Sequence, residues 1–435
     1  MREKKYWRVA VCCSVLLTAV LRSGRAQATA NYDEKNVPPY SLPDLLVTKS
    51  GKTVTTAEEW RRLRRPELLE MFSSLVYGKV PSQRDVKMEF LPAKDDRGVL
   101  DGAAVRKEII LRIANGGRQH SMTLLLYLPG RAKKKVPVFL GLNFGGNHTI
   151  SPDTGVSITK SWVPDNKEWC VVDNAATALS RGVDSSSWPV QRILERGYGL
   201  ATIYYGDIDP DFDDGFQNGI HPLFYSGGQT KPAEDEWGSI AAWAWGLSRA
   251  MDYLETDPGV DAEKVVVIGH SRLGKTALWA GAADERFAVV ISNNSGCGGA
   301  ALSKRIFGET VGIINKSFPH WFCGNFKQFG ENEKALPIDQ HMLLALIAPR
   351  PLYVASAGKD QWADPKGEYL AAYHAGPAYK LFGKSVPASE TMPPLNQPLI
   401  RRDIGYHIRS GAHALSRYDW ECYLDFADRH FNFNL

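Results

Sequence analysis

The chain has 435 residues, 44% of them hydrophobic and 23% charged. That is enough apolar material for a substantial core and excludes a disordered or fibrous protein. Of its 52 basic and 48 acidic residues, six basic and one acidic fall within residues 1–28, leaving 46 against 47, so the formal net charge of +4 gives no argument for nucleic-acid binding.

Residues 1–28 read as a secretory signal peptide. MREKKYWR is basic, VAVCCSVLLTAVL is apolar but too short to span a bilayer comfortably, and Ala26-Gln27-Ala28 is a small-residue cleavage site. A secreted or periplasmic protein with no membrane partner is expected, with residues 29–435 forming one domain. Cys170, Cys297, Cys323 and Cys422 remain after cleavage. Their even number permits two disulfides, but a chain of this size needs no staples, and buried free thiols fit equally well. No Cys-x-x-Cys spacing is present, so a zinc or redox site is not expected, and no metal is assigned.

Helices are predicted at Thr56–Tyr77, Val190–Arg196, Glu236–Glu255, Lys275–Ala283, Asp339–Ala348, Pro365–Tyr373 and Arg417–His430. Strands are predicted at Glu108–Ile113, Met122–Leu128, Val136–Leu142, Gly199–Tyr205, Lys264–Ile268, Ala288–Ser292, Pro351–Ser356 and Gly405–Ile408. Their alternation implies an α/β fold with a mostly parallel sheet, antiparallel at its start, and helices on both faces. Sites in such sheets lie at the carboxyl ends of the strands, where the irregular stretches 143–188 and 206–234 would overhang.

At Gly269-His270-Ser271-Arg272-Leu273-Gly274-Lys275 an apolar run turns into an Ala-rich helix. This placement makes Ser271 a candidate nucleophile on a strand-to-helix elbow, although the second glycine comes one residue later than in G-x-S-x-G. The competing reading is a serine cap on an ordinary helix. The base should follow the last strand. His413 lies on the Gly-rich loop after it, whereas His407 falls inside the strand, where a packed side chain is the simpler reading. The acid should follow the preceding strand, as Asp360 does. Asp364 precedes Pro365 and reads as a helix cap.

Asp207 to Gly215 carries alternating carboxylates, but Phe212 and Asn218 stand where a calcium loop needs glycine and glutamate, so it reads as a polar loop. The loop Gly141–Thr149, GLNFGGNHT, follows a strand and is a candidate source of a second oxyanion N–H.

These motifs, together with EEWRRLRRPELLEMFSSLVYGKVP, GGAALSKRIFGET, DQWADPKGE and GAHALSRYDW, resemble the glucuronoyl esterases of carbohydrate esterase family 15, of the bacterial type, over nearly the whole mature chain. The resemblance implies an α/β-hydrolase fold, a three-layer αβα sandwich. The family elbow is G-x-S-R-x-G-K, so the late glycine is expected in it. It implies hydrolysis, without a cofactor, of the ester between (4-O-methyl-)glucuronic acid of xylan and lignin alcohols, with Ser271 as nucleophile and His413 as base. Arg272 resembles the family's oxyanion arginine, and Lys275, Glu309 and Trp362 match sugar-binding positions. Many members carry the acid as a glutamate where this chain has Asn294; others carry it after the later strand, where Asp360 stands. Competing expectations are an esterase for acetyl or feruloyl sugar esters and a weakly active carbohydrate-binding homologue. A monomer is expected.

Overall fold

The computed structural model describes residues 30–81 and 86–432. The signal-peptide expectation, residues 1–28, lies outside them. Nine strands form one sheet: β1 (Lys87–Val99), β2 (Ala104–Asn115), β3 (Arg118–Pro129), β4 (Val136–Asn143), β5 (Gly199–Tyr204), β6 (Val260–His270), β7 (Val289–Asn293), β8 (Leu352–Ala357) and β9 (Ile404–Arg409). Their spatial order is β1-β2-β3-β5-β4-β6-β7-β8-β9. Pairing is antiparallel from β1 through β3 to β5 and parallel from β5 to β9.

The Val265-Val266-Val267-Ile268 run of β6 shows why the sheet is covered on both faces. Successive side chains point to opposite sides of a strand. Val265 and Val267 pack in one core cluster with the helices Ser239–Leu254, Arg272–Ala283 and Gln340–Ala345. Val266 and Ile268 pack in a second cluster with the helices Val190–Glu195 and Arg417–Phe431. The result is the three-layer α/β sandwich expected of an α/β hydrolase.

All eight predicted strands form, with ends shifted by a few residues. The ninth, β1, was not predicted: KMEFLPAKDDRGV is rich in charge, contains a proline and a glycine, and lies at the sheet edge with mostly exposed or half-buried side chains. Short helices at Val311–Ser317 and Gly376–Lys380 were also missed. Cys170, Cys297, Cys323 and Cys422 are all free, so the disulfide alternative falls. Among the described residues, no helix is long and apolar enough to cross a membrane.

Candidate functional site

Four consecutive parallel strands deliver their carboxyl ends to one edge. β6 runs into Ser271, β7 into Asn293 and Asn294, β8 into the loop bearing Asp360, and β9 into the loop bearing His413.

Ser271 has φ 58° and ψ −128°, a left-handed conformation that a non-glycine residue rarely adopts. Such strain marks sites where the surrounding structure imposes it. Here its N–H donates to the Asn293 carbonyl (2.9 Å), and its own carbonyl accepts from Gly274 and Lys275 in the helix (2.9 and 3.2 Å). A Cβ on Gly269 would lie 1.9 Å from the Leu273 carbonyl oxygen, so the turn closes only over glycine. A Cβ on Gly274 would lie 3.0 Å from Ser295 Cβ and 3.1 Å from the carbonyls of Asn293 and Gly269. The late glycine is therefore the point where the elbow helix crosses the end of β7. No side-chain cap is made by Ser271, which removes the helix-cap alternative.

His413 Nδ1 and Asp360 Oδ2 are 2.6 Å apart. The Asn294 amide donates to the same carboxylate oxygen at 2.9 Å. Burial opposes the charge on Asp360, but the hydrogen bonds from His413 and Asn294 outweigh it and hold its pKa below the ordinary carboxylate value. The two loops are tied together by backbone bonds, Gly358 N–H to the Arg409 carbonyl and Lys359 N–H to the Gly411 carbonyl, both 2.9 Å. Arg409 clamps the histidine loop further. Its guanidinium donates to the carbonyls of Ala412 and Ala414 (3.0 and 2.7 Å) and is anchored on buried Asp419 (2.9 Å).

The rivals sit elsewhere. His407 is buried between Tyr353 and Asp419, at 3.0 and 2.8 Å. Asp364 pairs with Arg305 and caps the Gly367 N–H.

His270 lies against His413, its ring centroid 4.5 Å away. Its Nδ1–H donates to Asn293 Oδ1 at 2.6 Å. Burial, with His413 alongside, pulls it down to about 3, so it stays neutral at physiological pH.

Arg272 begins the elbow helix. Its guanidinium pairs with Asp211 and stands over the Trp321 ring, 4.9 Å from the centroid. Burial works against its charge, but Asp211 more than compensates and raises its pKa. Asp211 also accepts from His320 (2.9 Å) and Trp321 (2.7 Å). This anchor was missed in the sequence, where Asp211 read only as part of a polar loop. Two of the loop's other carboxylates are engaged separately: Asp209 with His221 and Ser239, Asp207 with Ser161.

Lys275 and Glu309 are both buried, with Nζ to Oε2 at 3.7 Å, and Nζ donates to the Ser295 carbonyl at 2.6 Å. Burial raises the Glu309 pKa against the pull of Lys275. The Glu309 N–H donates to the Trp362 carbonyl (2.9 Å), while Trp362 itself is 41% exposed. Beside this group a cleft of about 360 Å³ opens, lined by Ser271, Arg272, His270 and His413 and walled by apolar side chains. Lys275, Glu309 and Trp362 do not line it.

The chain is 52% identical over 400 residues to a carbohydrate esterase of an unknown prokaryotic organism, covering 92% of each. It superposes on a promiscuous esterase of carbohydrate esterase family 15 from a marine bacterial metagenome with TM-score 0.87 and 51% identity, covering 92% of this chain and 100% of that one. The chain belongs to carbohydrate esterase family 15. A second member, the glucuronoyl esterase from Solibacter usitatus, matches with TM-score 0.85 and 49% identity over 91% of this chain and 100% of its own. The family model described as "Glucuronyl esterase, fungi" matches residues 221–383, which run from the loop before the Ser239–Leu254 helix through the elbow and Asp360 to just past the Gly376–Lys380 helix.

Proposed function

We propose that the mature chain, residues 29–435, is an exported serine esterase. It hydrolyses the ester between the carboxyl of a (4-O-methyl-)glucuronic acid unit of xylan and an alcohol of lignin. The observation that carries this reading is the convergence of strained Ser271 and the His413–Asp360 pair on one cleft, in a chain that is half identical to family 15 esterases.

The chemistry follows from the groups. Ser271 Oγ attacks the ester carbonyl while His413 accepts its proton. Asp360 fixes the imidazole with Nδ1–H toward itself and stabilises the cation that forms. Asn294 cannot supply that charge but donates to the same carboxylate oxygen as His413. Negative charge on the tetrahedral oxygen meets the Arg272 guanidinium, which cannot deprotonate, and the N–H groups opening the elbow helix. Collapse expels the alcohol, protonated by His413, and leaves an acyl-enzyme on Ser271. Water, deprotonated by His413, releases the acid. Lys275, Glu309 and Trp362 offer a buried ion pair for sugar hydroxyls and an exposed flat face for the ring.

A second reading, activity on other sugar esters as well, draws support from the marine relative, which is described as promiscuous. Assays on methyl and benzyl glucuronate beside acetyl-xylan and feruloyl esters separate the two. Faster turnover of acetyl or feruloyl substrates would overturn the glucuronate reading, and unchanged turnover in Ser271→Ala would overturn the nucleophile.

A further inference from the structure

Residues 30–36 contribute no buried side chain, yet they are tied closely to one segment of the fold. The Asn31 carbonyl accepts from the Gly308 N–H at 2.8 Å, and the Asn31 amide donates to the Ile306 carbonyl at 3.4 Å. Tyr32 meets Phe307 edge to face, with ring centroids 6.3 Å apart. Glu34 accepts from buried Arg305 and, at 2.8 Å, from Lys366. Each residue from Arg305 to Gly308 thus meets residues 31–34, and the next residue in the chain is Glu309. The segment so held is strained. Ile306 is left-handed at φ 51° and ψ 58°, a conformation that a β-branched residue rarely adopts. Such strain persists where surrounding contacts impose it. At Gly308, φ 61°, an added Cβ would lie 2.4 Å from the Trp362 carbonyl oxygen, so the segment runs hard against the Trp362 backbone. The Trp362 side is strained as well, because the turn Gln361–Ala363 ends on Asp364, left-handed at φ 51°. Arg305 joins the two sides. Its Nε lies 3.1 and 2.9 Å from the two Asp364 carboxylate oxygens, while its outer nitrogen pairs with Glu34. Lys366, in the first turn of the helix after Asp364, closes the ring on Glu34.

We propose that Asn31 and Glu34 are positioning residues of the esterase. They form an N-terminal strap that acts through Arg305 and Gly308, fixes the spacing between Glu309 and Trp362, and so sets how tightly the sugar is held. The guanidinium suits this task, since its planar fork serves two carboxylates at once and a lysine ammonium does not. Neither Asn31 nor Glu34 lines the cleft at Ser271. Loss of the strap therefore loosens the sugar in the ground state and the transition state alike and leaves the chemical step intact. Loss of such uniform binding raises KM and spares kcat.

This inference rests on the esterase reading, with the sugar held by Glu309 and Trp362, and its test separates the two. Methyl glucuronate hydrolysis would be compared in wild type, Glu34→Ala and Glu34→Gln. Glu34 is an exposed residue, so its replacement leaves the core untouched. Glu34→Ala should raise KM by about ten-fold, the scale for residues that act at one remove from a ligand, with kcat held. Glu34→Gln should recover part of the affinity, because its amide oxygen still accepts from one cation. The rate at which a small fluorophosphonate labels Ser271 reads the nucleophile without the sugar and should stay the same in all three. An unchanged KM, even with a lower melting temperature, would overturn the proposal, since the spacing would then hold without the strap. A raised KM matched by slower labelling would overturn it too, by showing a disturbance that reaches the elbow. Should wild type not hydrolyse glucuronate esters at all, the esterase reading fails on its own. The strap is then judged by NMR titration of glucuronate into wild type and Glu34→Ala. Binding must weaken on substitution, and equal binding or none overturns the strap as well.

Discussion

Asp360 receives two hydrogen bonds on a single oxygen, 2.6 Å from His413 Nδ1 and 2.9 Å from the Asn294 amide. The amide of Asn294 fixes which way the carboxylate faces, and the carboxylate fixes the tautomer of His413. Asp360→Asn should lower kcat by roughly 10³–10⁴, because an amide allows the wrong imidazole tautomer and leaves the cation unsupported. Asp364→Asn should leave kcat within a few-fold and lower the melting temperature instead, since Asp364 serves Arg305 and the Gly367 N–H. Steady-state kinetics and thermal melts of both variants check this. A severe kcat loss confined to Asp364→Asn would reverse the assignment.

Arg272 and Asp211 form the second anchored pair. Asp211 is held down to about 2: burial opposes this, but His320, Arg272 and Trp321 outweigh it. The ion pair therefore persists through neutral and mildly acidic pH. Replacing Arg272 by Lys keeps the charge and loses the planar fork. The expected result is a kcat fall of about 10²–10³ with KM nearly constant, the signature of a lost oxyanion donor. Asp211→Asn should reproduce part of the loss. An effect on KM alone would assign Arg272 to ground-state binding.

The candidate residues were legible because each occupies a place the topology dictates: Ser271 after a buried apolar run, Asp360 and His413 on loops after the last two strands. The strand that escaped, β1, is an edge strand whose charges carry no two-residue alternation. Anchors were less visible. Asp211 and Asn294 lie 61 and 66 residues from the groups they hold, and polar loop residues look alike until the chain folds. Arg409 was illegible for another reason: three of its partners are backbone carbonyls, which leave no trace in residue type.

That clamp gives a third expectation. Arg409→Lys retains a cation against Asp419 but cannot reach the carbonyls of Ala412 and Ala414 together. His413 then loses its fixed position. Displacing a reacting group by about 1 Å costs on the order of 10²-fold in rate, so kcat should fall by about that much. Hydrogen exchange of residues 410–415 should quicken while the sheet stays protected. Lost activity without faster exchange in that loop would contradict a positioning role.

Glu368 gives the fourth. It is fully buried on the helix Pro365–His374 and accepts from the Gly296 N–H (2.9 Å) and Ser356 Oγ (2.6 Å). Burial dominates these bonds and pushes its pKa up to about 8 from 4.5. Between those values the folded protein keeps a proton that the unfolded chain has released. Stability contributed by this group is thus fully present below pH 4.5 and falls as pH rises toward 8, by up to about 1.4 kcal/mol per pH unit. Glu368→Gln removes the titration while keeping one acceptor and a donor. Urea melts from pH 5 to pH 8 should show wild type losing stability with pH more steeply than Glu368→Gln. Parallel curves would show that the carboxyl is already ionised in the fold at pH 5.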